Sequence, residues 1–133
     1  MINKEIIKLA SNTTNVGLGS KYSHRISMKN SICGDKITLE LLTDNKKINS
    51  MKYETESCIY CEASASLLSK NIKNLSIKDI KKSFNAIKKN TKYKKVKIPK
   101  KFISFKRLIN SDNFNRYKCI FLPFDAVLKA LKL

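Results

Sequence analysis

The stretch DKITLELLTDNKKINSMKYETES, residues 35–57, decides the fold. Ile37, Leu39 and Leu41 alternate with mostly polar neighbours, the two-residue period of a half-buried strand. Asp44-Asn45-Lys46-Lys47 is turn chemistry, because Asn and Asp tolerate the left-handed backbone of a tight hairpin. Beyond it, Ile48, Met51 and Tyr53 carry a further strand that ends near Ser57. Upstream, Tyr22, His24, Ile26 and Met28 occupy one side of another alternating run. The reading is three antiparallel strands joined in sequence.

The period changes immediately after the third strand. Ile59 to Ile72 reads as a helix with Ser57 as N-cap; Ala63, Ser64, Ala65 and Ser66 permit close packing, and Leu67, Leu68 and Ile72 face a core. Ser76 caps a second helix, in which Ile77, Ile80, Phe84 and Ile87 recur at helical spacing while lysines 78, 81, 82, 88 and 89 take the solvent side. At the other end, Ile2 to Ala10 is a short amphipathic helix that stops in the polar run Ser11 to Asn15, before a loop punctuated by Gly17 and Gly19. Lys88 to Lys101 contains Pro99 and little helical periodicity, so it reads as an exposed basic connector. Apolar packing resumes at Phe102, Ile103, Phe105, Leu108 and Ile109, and a last amphipathic helix opens at Cys119 and runs through Ala126, Val127, Leu128, Ala130 and Leu131. The expected fold class is α+β, a small three-stranded antiparallel sheet packed against helices, in one domain spanning residues 1–133.

Composition sets outer bounds. A chain of 133 residues with 42% hydrophobic and 29% charged residues buries one core, and only 3 Gly and 2 Pro exclude collagen-like or linker character. Uncharged stretches fall far short of the roughly 18 to 20 apolar residues that span a bilayer, and MINKEIIKLA lacks the apolar block of a signal peptide. A cytoplasmic location and no membrane partner are expected. The formal charge is +18, yet Lys70 to Arg107 holds 15 basic residues against one acid, Asp79, so a single region explains most of the imbalance. A basic nucleic-acid-binding module is therefore one reading. Few arginines, with only Tyr93, Phe102 and Phe105 as stacking residues near the end of that segment, argue against sequence-specific readout. Nucleic acid is accordingly not the expected partner.

Four cysteines in a chain without an export signal are expected to stay reduced, which turns attention to metal or thiol chemistry. In Cys33-Gly34-Asp35 the glycine lets a thiolate and a carboxylate face one point, although the tripeptide alone is equally a turn aspartate beside an incidental cysteine. Cys58 lies where strand meets helix, so the helix N-terminus is expected to depress its thiol pKa. Cys61 completes a Cys-x-x-Cys that is either a redox pair or a buried small apolar residue; the bulky Tyr60 and the missing strand–helix–strand crossover favour the latter. Cys119 is expected at a helix start beside Lys118, with Pro123 in the first turn. Three soft thiolates and one carboxylate suit Zn²⁺ or an iron–sulfur cluster. His24, the only histidine, sits in a strand and is more often structural than a ligand.

Asn15-Val16-Gly17, Cys33-Gly34-Asp35, Cys58 five residues before Ala63-Ser64-Ala65-Ser66, and Cys119 followed by Leu122-Pro123 and a terminal helix together resemble the iron–sulfur cluster scaffold family of the IscU/NifU N-terminal type. The resemblance covers the whole chain in order. It implies a compact α+β sandwich with three cysteines and Asp35 clustered at one exposed end. It implies a scaffold rather than an enzyme: sulfur arrives from a pyridoxal-phosphate cysteine desulfurase of the SUF or ISC type, joins iron in a labile [2Fe–2S] cluster, and leaves for apo acceptor proteins. Cys33, Asp35, Cys58 and Cys119 would be the cluster or zinc ligands, with Cys119 and Cys58 as persulfide acceptors and Asp35 keeping the cluster exchangeable.

The chain departs from the compact branch of that family. Lys118 stands where a histidine precedes the last cysteine, and Asp112-Asn113-Phe114-Asn115-Arg116 replaces a Leu-Pro-Pro-Val-Lys chaperone motif. The interval of 61 residues from Cys58 to Cys119 is more like the SUF-associated branch, some members of which bind zinc and relay sulfur as transferases. The second reading is therefore a zinc-binding sulfurtransferase.

Overall fold

The hairpin forms as its alternation dictates. In the computed structural model, which describes residues 3–19, 21–31, 33–91 and 98–133, β1 (His24–Lys29), β2 (Lys36–Asp44) and β3 (Lys47–Glu56) make one antiparallel sheet in the order β1-β2-β3. Leu39 is opposite both Ile26 and Tyr53, and Ile37 is opposite Met28 and Thr55. The β2–β3 turn places Asn45 and Lys46 at φ 51° and 62°, the left-handed pair that matches the twist of a two-residue hairpin. Ile48, Met51 and Tyr53 do not share one two-residue period, yet all three are buried. A register shift reconciles them: Leu42 pairs with Ser50 and Thr43 with Ile48, so Asn49 is the extra residue of a bulge that turns Ile48 back to the core.

Helices cover the inner face of this sheet. α1 (Lys4–Ala10) is capped by Asn3, whose Oδ1 accepts the Ile6 N–H at 3.0 Å, and buries Ile6 and Leu9. Residues 15–17 then run beside β3: the Tyr53 N–H donates to the Asn15 carbonyl and the Gly17 N–H to the Tyr53 carbonyl. α2 (Ile59–Asn71) is the central element, with every residue from Ala63 to Ser69 buried, as expected of a helix enclosed on several sides. α3 (Ile77–Thr91) is capped by Ser76, whose Oγ accepts the Asp79 N–H, and buries Ile80, Phe84 and Ile87. Two 3-10 helices, Lys100–Arg107 and Ser111–Arg116, lead into α4 (Tyr117–Ala130). The rings of Phe84, Phe102, Phe105 and Phe124 meet at centroid distances of 4.7–6.1 Å and lock α3, α4 and the first 3-10 helix together.

Several local expectations shift. Cys58, not Ser57, is the N-cap of α2, because the chain leaves extended geometry one residue later. α4 begins at Tyr117, so Cys119 sits inside its first turn and Pro123 lies in the helix interior rather than the first turn. Lys88 and Lys89 belong to the last turn of α3, and Pro99 caps the first 3-10 helix; the middle of the expected basic connector, residues 92–97, lies outside the described residues. Ile103 is exposed because the 3-10 segment turns Phe102 and Phe105 inward and leaves it on the outer side. Among the described residues no helix is long and apolar enough to cross a membrane.

Candidate functional site

Three chain segments bring four candidate residues together at one end of the sheet. The β1–β2 turn carries Cys33 and Asp35; between them Gly34 has φ +76°, a left-handed conformation that a side chain would strain. The Gly34 N–H donates to the Asn30 carbonyl and the Asn30 N–H to the Asp35 carbonyl, which closes the turn. Opposite stands the start of α2 with Cys58, and across from both is the first turn of α4 with Cys119. One ligand atom each from Cys33, Asp35 and Cys119 lies within 4.8 Å of the other two. The Cys33 and Cys119 sulfurs are 3.4 Å apart. Asp35 joins Cys58 to the group, its Oδ1 accepting the Cys58 N–H at 2.9 Å and its Oδ2 the Cys58 thiol at 3.3 Å.

Electrostatics follow from this crowding. Burial opposes the charge on Asp35, but the Cys58 amide and the thiols of Cys33, Cys58 and Cys119 outweigh it and hold its carboxyl below the ordinary value. The expected depression at Cys58 does not occur. Burial pushes that thiol up, and the anionic partner Asp35 adds to the rise against the Cys61 amide. Burial, together with its hydrogen bonds to Cys33 and Asp35, likewise favours the protonated thiol at Cys119. The raised thiols of Cys58 and Cys119 ionise more readily beside a positive charge, which a metal ion supplies.

The other sequence candidates separate clearly. Cys61 is fully buried among apolar side chains, and burial pushes its thiol up to about 12. His24 begins β1, the strand whose far end leads to Cys33, and its Nδ1 is 2.9 Å from Ser23 Oγ. Two features escaped the sequence reading. The Ser64 hydroxyl, fully buried on α2, donates to the Ile120 carbonyl at 2.6 Å and ties α2 to the residue after Cys119. The Arg116 guanidinium lies 5.4 Å from the Tyr60 ring centroid, so the starts of α2 and α4 are bridged a second time. The only sequence signal for the first was the run of small residues at 63–66, which shows close packing but not its partner.

A donor set of thiols and one carboxylate is the chemistry of zinc or iron–sulfur binding. No curated protein sequence matches the chain. The crystal structure of a nitrogen-fixing NifU-like protein (N-terminal) from Brucella abortus matches with a TM-score of 0.86 at 20% identity, over 98% of this chain and 91% of that one. A putative iron–sulfur cluster assembly scaffold protein for the SUF system, from thermophilic Fervidobacterium islandicum AW-1, matches at 0.84 and 23% identity, over 98% and 96%. At these identities the likeness establishes the fold. The family model of the NifU-like N-terminal domain matches residues 1–109, most of the chain and the part that carries Cys33, Asp35 and Cys58. The chain belongs to the NifU-like N-terminal domain family.

Proposed function

We propose that this protein is an iron–sulfur cluster assembly scaffold. It accepts sulfur from a pyridoxal-phosphate cysteine desulfurase, combines it with iron as a labile [2Fe–2S] cluster on Cys33, Asp35, Cys58 and Cys119, and passes the cluster to apo acceptor proteins. The sulfane sulfur of a persulfide becomes cluster sulfide by taking up two electrons from a thiol or ferredoxin reductant. The observation that carries the reading is the convergence of Cys33, Asp35 and Cys119 within 4.8 Å, with Cys58 hydrogen-bonded to the same carboxylate. Membership of the NifU-like family supports it. Cys33 is exposed whereas Cys119 is buried, so a sulfur donor and an incoming iron both approach from the side of the β1–β2 turn.

One observation favours a second reading, a zinc-binding sulfurtransferase. In a tetrahedral zinc site, ligand atoms stand about 3.5 to 3.8 Å apart, given Zn–S of about 2.3 Å and Zn–O of about 2.0 Å. The Cys33–Cys119 sulfurs at 3.4 Å and the Cys58 sulfur to Asp35 oxygen at 3.3 Å approach two such edges, and Cys58, outside the 4.8 Å group of Cys33, Asp35 and Cys119, would close on it to complete the tetrahedron. Anaerobic reconstitution with iron, cysteine and a cysteine desulfurase, followed by assay of iron, sulfide and zinc on the re-isolated protein, separates the two. Stoichiometric iron and sulfide that transfer to an apo-ferredoxin establish the scaffold. Tightly held zinc without a cluster, but with faster desulfurase turnover, establishes the relay.

A further inference from the structure

The charge imbalance of the chain takes a definite shape on α3. Lys78, Lys81, Lys82 and Lys89 are exposed, and at about 100° per residue these four and exposed Asn85 fall within an arc of about 100°. From Lys78 to Lys89 the stripe extends about 16 Å along the helix. Ile80, Phe84 and Ile87 on the opposite side are fully buried, and Phe84 packs on the rings of Phe102 and Phe124. The lysine face is thus fixed outward by the core. The acids beside it are already engaged: Asp79 is held by Lys101 at 3.1 Å and Asp125 by Lys88. Lys101 also brings the first 3-10 helix against the first turn of α3, where Lys100 adds another exposed ammonium.

We infer that this face of α3 is a docking surface for duplex DNA, held through backbone phosphates without base readout. The kind of occupant follows from what the face has and lacks. Protein–protein interfaces are depleted in lysine and enriched in aromatics and arginine, whereas this stripe is lysine alone. An interfacial helix inserts through a free apolar face, and that of α3 is buried in the core, which leaves an anionic membrane only a diffuse surface charge to offer this stripe. Single strands are gripped by stacking on exposed aromatics, and the one aromatic residue of α3, Phe84, is buried. What remains is a row of point charges facing a lattice of point charges, since duplex DNA carries one negative charge per about 1.7 Å of axis. The sequence alone argued against nucleic acid because arginines and stacking residues are few, which bears on base readout and not on phosphate contacts. On a rigid helix face the lysines act together. The inference is independent of the cysteine site, so its failure leaves the scaffold reading untouched.

The test is fluorescence anisotropy of a labelled duplex of about 20 base pairs of arbitrary sequence, titrated with the full chain across a range of salt. Two variants of equal net charge are compared: K78Q/K81Q/K82Q/K89Q on α3, and K4Q/K8Q/K129Q/K132Q on exposed positions of α1 and the C-terminus. Glutamine matches lysine in helix propensity, and circular dichroism confirms that both fold. Wild type should lose affinity with a log–log salt slope of about −3 to −4. The α3 variant should bind about 100-fold more weakly at about 0.1 M salt with a much flatter slope, and the control variant should stay within about fivefold of wild type. Equal weakening of both variants would mean that net charge alone binds DNA, which overturns the assignment. Displacement of the duplex by polyglutamate, or by phosphatidylserine vesicles, at equal charge concentration would also overturn it, in favour of an acidic protein or a membrane.

Discussion

The Asp35 carboxylate binds Cys58 twice, taking its backbone N–H at 2.9 Å and its thiol at 3.3 Å. One side chain from the β1–β2 turn thereby occupies the place of an N-capping group for α2 and faces the thiols at the same time. Local folding and the chemistry of the site depend on a single carboxylate.

That dual role gives a pH prediction for the metal-free protein. The folded carboxyl sits below its ordinary value of 3.8, so its contribution to stability is complete above that pH and is lost as pH falls through the lower folded value. Urea unfolding of wild type and Asp35→Asn should therefore converge under acid and diverge near neutrality, with wild type the more stable. Parallel curves at every pH would contradict the role.

On the scaffold reading, Asp35→Ala should also lengthen the life of a bound cluster, since a harder oxygen ligand that keeps iron exchangeable is removed. Loss of visible absorbance after anaerobic reconstitution measures this, and faster loss in the variant would count against Asp35 as that ligand.

Replacement of Cys33, Cys58 or Cys119 by serine should each abolish stable metal or cluster binding. Cys61→Ser should keep the stoichiometry and lower the unfolding midpoint, because the hydroxyl enters a fully buried apolar position. Metal analysis on the four purified variants, with thermal unfolding alongside, checks both halves.

Ser64→Ala removes the 2.6 Å hydrogen bond to the Ile120 carbonyl. The cost should be about 1 to 2 kcal/mol by chemical denaturation. Pro123 has no N–H to offer the Cys119 carbonyl one turn back, so this tie between α2 and α4 has unusual weight where Cys119 is placed. The Co²⁺-substituted variant should accordingly show weaker thiolate charge-transfer absorption than wild type, a change that lowered stability alone would not produce.

Lys46 holds φ 62° in the β2–β3 turn, a conformation unfavourable for a residue with a Cβ. Lys46→Gly should raise stability by about 0.5 to 1 kcal/mol, because relief of that strain exceeds the added chain entropy of glycine. An unchanged or lower denaturation midpoint would show that the Lys46 side chain contributes more than its backbone strain costs.

The sequence by itself determined the elements with strong local period. The alternation of Ile37, Leu39 and Leu41, the Asn45-Lys46 turn, and the helical spacing of Ile80, Phe84 and Ile87 are each set within a few residues, and the structure keeps them. Cys33, Asp35 and Cys58 were recognisable as candidates because each flanks the hairpin. Only the tertiary structure decided what depends on distant partners. Cys33 and Cys119 are 86 residues apart in the chain and 3.4 Å apart at sulfur, a contact made by packing α4 across the end of the sheet. The pKa of Cys58 rises where a helix N-terminus alone would lower it, because burial and a facing carboxylate outweigh the helix dipole. The Asn49 bulge, the Ser64–Ile120 tie and the fixed lysine face of α3 belong to the same class, since a periodic pattern names the buried side of an element but not what will be packed against it.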